Sequence, residues 1–136
     1  MNKNLKKLLE QLEQIKLHLI TAKRLLDEAE NWSLLDAISS GPVSIFADFM
    51  EYSRFNKVKL EIMKAKSIYK LIKDDLKRTF YEIPDLNLTG LWFTLDVLFD
   101  SLPIDIIRHF KLKAFKNRIE ESIYFLDKII YALKEK

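Results

Sequence analysis

The sequence predicts an all-α fold, a helical bundle in which two short connecting helices join three long heptad-patterned ones. Two long seams and the placing of the helix breakers carry this prediction. From Leu5 to Ala29, apolar residues fall at Leu5, Leu8, Leu12, Ile15, Leu19, Ala22, Leu26 and Ala29, alternating steps of three and four. That spacing is the seam of a helix that buries one stripe against partners. Val58, Ile62, Ala65, Tyr69, Ile72, Leu76 and Thr79 repeat the pattern. The chain's two glycines and three prolines gather at Gly41-Pro42, Pro84 to Gly90 and Pro103, which makes them its punctuation.

The first helix is expected to start at Asn2 or Asn4, either of which can cap it, and to end near Asn31. Leu9, Leu17, Ile20 and Leu25 lie off the seam and widen the apolar face towards more than one neighbour. Ser39-Ser40-Gly41-Pro42 then reads as a turn into a short helix, with proline in its first turn. Phe46, Phe49, Met50 and Ser53 are that helix's expected inner face, and Asn56 the cap of the next long helix. This helix should stop before Pro84, because the residue preceding a proline avoids helical dihedrals.

Residues 85–102 allow two patterns. Leu91, Leu95, Leu98 and Leu102 make one helical face, while Phe93 to Val97 alternate as a strand would. A lone strand has no sheet to join in so helical a chain, and helix is the expectation. Pro103 is expected to open the last helix, whose Leu112, Ile119, Leu126 and Leu133 recur every seven residues. Neighbours joined by short links should run antiparallel, and the 136 residues form one bundle domain, 1–136.

Composition narrows the function classes. The 49% apolar and 12% aromatic content supplies a core, which argues against disorder. Cysteine is absent, which removes disulfides and thiolate metal sites and fits a reducing compartment. No signal-peptide pattern opens the chain, and Asp96, Asp100 and Asp105 interrupt its most apolar stretch. A soluble, cytoplasmic protein is the expectation.

Charge is segregated. Between Leu25 and Ser53 there are six acids and no Lys or Arg; between Thr79 and Ile107 there are five acids and again no base. All 23 bases sit in the remaining segments with nine acids. Acidic connectors lying against lysine-rich helices account for this most simply; the alternative is that one polarity marks a docking surface.

The motifs of common active sites are missing. Neither His18 nor His109 has a Glu three residues before it, as a bundle diiron site requires; Ile15 and Ile106 stand there. HExxH, Walker, GxGxxG and GxSxG patterns do not occur. His18 beside the Leu19 seam is expected at the core boundary. Asp96 and Asp100 share one side of their helix, but apolar neighbours offer no set of oxygens for a hard cation. No enzyme activity, metal, cofactor or small-molecule substrate is expected. Lys66, Lys70, Lys73 and Lys77 line one helix face, with Arg108, Lys111 and Arg118 on the last. Such stripes can meet phosphates, yet 18 of the 23 bases are lysine and no nucleic-acid-binding signature accompanies them. This weighs against nucleic acid and membrane surfaces as partners. Trp32 and Trp92 lie outside the seams and are expected to pack on the core.

Ala29-Glu30-Asn31-Trp32, Asp36, the turn through Gly41, Ser44, Asp96-Val97-Leu98-Phe99-Asp100 and Asp105 resemble an uncharacterised helical family of low-GC Gram-positive bacteria. The resemblance spans about residues 22–130. Ser33 and Ser39-Ser40 stand where that family has glycine. The resemblance implies a folded helical module and brings no activity with it.

These readings converge on a non-enzymatic helical module that binds another protein or a second copy of itself. A small inhibitor or immunity-type protein that neutralises a toxin or nuclease is one alternative. A peripheral membrane or nucleic-acid binder using the basic helix faces is another. The expected contact surface is Trp92, Phe93, Asp96, Val97 and Asp100. At roughly 100° per residue, Phe93 and Val97 point away from the Leu91, Leu95, Leu98 and Leu102 cluster, with the two carboxylates close by.

Overall fold

The computed structural model describes residues 3–38, 42–82, 89–100 and 112–135, with side chains over 3–28, 56–79, 90–99 and 115–135. Those residues form four α-helices: α1 Lys3–Ile38, α2 Pro42–Glu82, α3 Thr89–Asp100 and α4 Leu112–Lys134. The all-α architecture is as the heptads predict, with four helices among the described residues where five are expected.

The first seam is buried. Leu12, Ile15, Leu19, Ala22 and Leu26 are fully enclosed, as are Val58, Ile62, Ala65 and Leu76 of α2. A helix end at Asn31 is corrected: α1 continues to Ile38. The seam does lapse there, but no Gly or Pro follows until Gly41, and a lapse in apolar spacing does not itself stop a helix.

The larger correction concerns α2. The expected short helix after Pro42 and the long helix after Asn56 are a single helix of 41 residues, roughly 60 Å long. Asn56 is exposed inside it rather than capping it. Asparagine in a helix interior costs well under 1 kcal/mol relative to Ala, too little to break a helix held on both sides. The side chains of Phe46, Phe49, Met50 and Ser53 lie outside those described. The end of α2 at Glu82 agrees with a stop before Pro84.

Residues Thr89–Asp100 are helical, which decides against the strand. Leu91, Leu95 and Leu98 are fully buried, as the helical reading requires. Leu102 and the expected helix start at Pro103 fall outside the described residues. Phe115, Ile119, Leu126 and Leu133 of α4 enter the same core, with Ser122 enclosed among them and donating to the Arg118 carbonyl at 2.8 Å.

α1 packs along α2 more extensively than any other two helices meet, across a link of three residues, 39–41. α4 lies on α1, and α3 bridges α4 and α2. The direction of α4 is written in four ion pairs. Glu13 pairs with Lys134, Lys16 with Asp127, Lys23 with Glu120 and Asp27 with Lys116. The α4 partner falls in number as the α1 partner rises, so the two helices run antiparallel. Each bridge is half-exposed, and such pairs contribute little energy singly; their ordered descent fixes register.

Candidate functional site

α3 is short and strongly apolar, and three of its sides are in contact with the bundle. Leu91, Leu95 and Leu98 point into the core, and Phe99 is 3% exposed beside them. Towards α4, Gly90 allows a close approach. A Cβ at this position would lie 2.6 Å from one ring carbon of Phe125 and 2.8 Å from another. The Thr94 hydroxyl, also buried, donates to the Gly90 carbonyl at 2.6 Å.

Towards α2, a cluster of rings and charges holds the helix. Tyr69 lies 5.9 Å from Trp92 and 5.3 Å from Phe99 between ring centroids, both tilted. Its hydroxyl donates to an Asp96 carboxylate oxygen at 3.0 Å. The Lys73 ammonium, one helical turn on, reaches the same oxygen at 3.5 Å and sits 5.5 Å and 5.9 Å from the Tyr69 and Trp92 ring centres. Tyr69 and Lys73 are four residues apart, so one face of α2 presents both to α3.

The outer side is left to solvent. Phe93 is 71% exposed, and Val97, one turn further, is half-buried. Of the five residues expected to form a contact surface, the structure places Phe93 and Val97 on this outer side. Trp92 is half-buried against the core, as expected of it. Asp96 sits at the edge and is engaged by Tyr69 and Lys73. Asp100 closes α3, and its side chain lies outside those described.

Sequence reasoning missed Tyr69 and Lys73 as partners of Asp96. Spacing puts Tyr69 on a seam and Lys73 in a lysine stripe, and nothing in spacing alone shows which helix either one meets. That stripe is also not uniform: Lys73 is tied to Asp96 and two rings, whereas Lys70 and Lys77 are exposed. Arg108 and Lys111 lie outside the described residues.

A second polar contact joins α1 to α2. His18 Nδ1 lies 2.7 Å from Glu61 Oε2, at the edge of the core as the sequence leads one to expect for this histidine. Lys64 reaches the other oxygen of the carboxylate at 3.3 Å. Partial burial on its own raises the Glu61 carboxyl, but the His18 hydrogen bond and the Lys64 ammonium outweigh it and hold the group below its ordinary value.

Among the described residues no three His, Asp or Glu side chains come together as metal ligands would, and no helix is long and apolar enough to cross a membrane. No family model, curated protein or solved structure matches the chain. The resemblance to a Gram-positive helical family therefore stands on its quoted residues alone.

Proposed function

We propose that this chain is a protein-binding module that works without catalysis, and that the outer side of α3 is its contact surface. The observation that carries this reading is Phe93, 71% exposed on a helix whose remaining sides are packed or tied to neighbours. A single exposed apolar side chain is ordinary on a protein surface. Here it sits on a helix already immobilised by the Trp92, Tyr69, Asp96 and Lys73 cluster. Ordering of the surface is done before any partner arrives, so less conformational entropy is lost on binding. Along the sequence, the stretch between Thr79 and Ile107 carries five acids and no base.

The test compares wild type with Phe93→Ser and with Phe93→Ser combined with Val97→Ser. Reduced partner capture with the melting temperature almost unchanged supports the surface. Unfolding of the double variant, with binding per folded molecule unchanged, places both residues in the core's service and removes the proposal.

A further inference from the structure

We draw no further inference here: the strongest candidate, the exposed apolar patch of Leu60, Met63 and Leu71 on the outside of α2, carries none because nothing in the structure shows what covers it.

Discussion

His18 and Glu61, 43 residues apart in sequence, meet at 2.7 Å and tie α1 to α2 at the edge of their shared core. An ionised carboxylate only accepts, so the His18 ring carries its proton on Nδ1 and donates. The Glu61 carboxyl therefore titrates lower in the folded chain than in the unfolded one. On acidification the unfolded chain takes up this proton first. The stabilisation is complete above the ordinary carboxylate value, about 4.3, and is lost as pH falls through the lower folded value. Urea denaturation of wild type and Glu61→Gln should differ at pH 7 and converge only once pH has fallen through the lowered folded value. A difference that persists unchanged into acid would show that the carboxyl is not held low.

Leu12 and Leu126 lie at the centre of the core and have no exposed surface. Changing either to Ala should cost about 2–5 kcal/mol. Leu17, 62% exposed on the outside of α1, serves as the control, and its change to Ala should stay within about 0.5 kcal/mol. Denaturant midpoints measure all three.

Gly90→Ala sets two effects against each other. Alanine favours the helix by about 1 kcal/mol, whereas the Cβ meets the Phe125 ring at 2.6 Å and overpacking costs about 1–3 kcal/mol. Phe125 is partly buried against the core, and its ring must shift to admit the Cβ, so destabilisation should win. In a Phe125→Ala background the same change should become stabilising. The comparison of four melting curves checks the reversal of sign.

Tyr69→Phe removes the hydroxyl that holds Asp96 at 3.0 Å and leaves the aromatic contacts in place. A hydrogen bond to a charged group contributes about 1.5–3 kcal/mol, and the half-exposed Asp96 puts this one at the lower end. The melting temperature should fall slightly. Amide exchange should quicken in α3 more than in α1. Equal effects on both helices would mean that the bond does not specifically hold α3.

The seams were legible because burial follows a regular period. Every described member from Leu8 to Leu26 and from Val58 to Leu76 is buried, and Leu91, Leu95 and Leu98 identified the inward side of α3. Continuity of α2 was not legible. Asn56 resembles a cap, and the apolar pattern changes phase near it, so the stretch imitates a boundary that the backbone crosses without interruption. Partnerships across helices were hidden for a different reason. Periodicity shows which side of a helix is apolar, and is silent on which neighbour supplies Glu61 to His18 or Tyr69 and Lys73 to Asp96. The outer position of Phe93 was visible from the angle per residue alone, while the tethering of Asp96 required the coordinates.

The three-residue link between α1 and α2 sets an order of assembly. Bringing His18 to Glu61 closes a hairpin between helices adjacent in sequence, whereas joining Lys16 to Asp127 spans almost the whole chain. Loop closure becomes costlier in entropy as the intervening chain lengthens, and local contacts favour fast folding. The α1–α2 hairpin should therefore form the nucleus, with α4 zipping down its ion pairs afterwards. Conservative truncations at Ile15 and Ile62 should slow folding in stopped-flow traces. Truncations at Ile119 and Leu126 should mainly speed unfolding, so that the most distant helix in sequence is the first to let go.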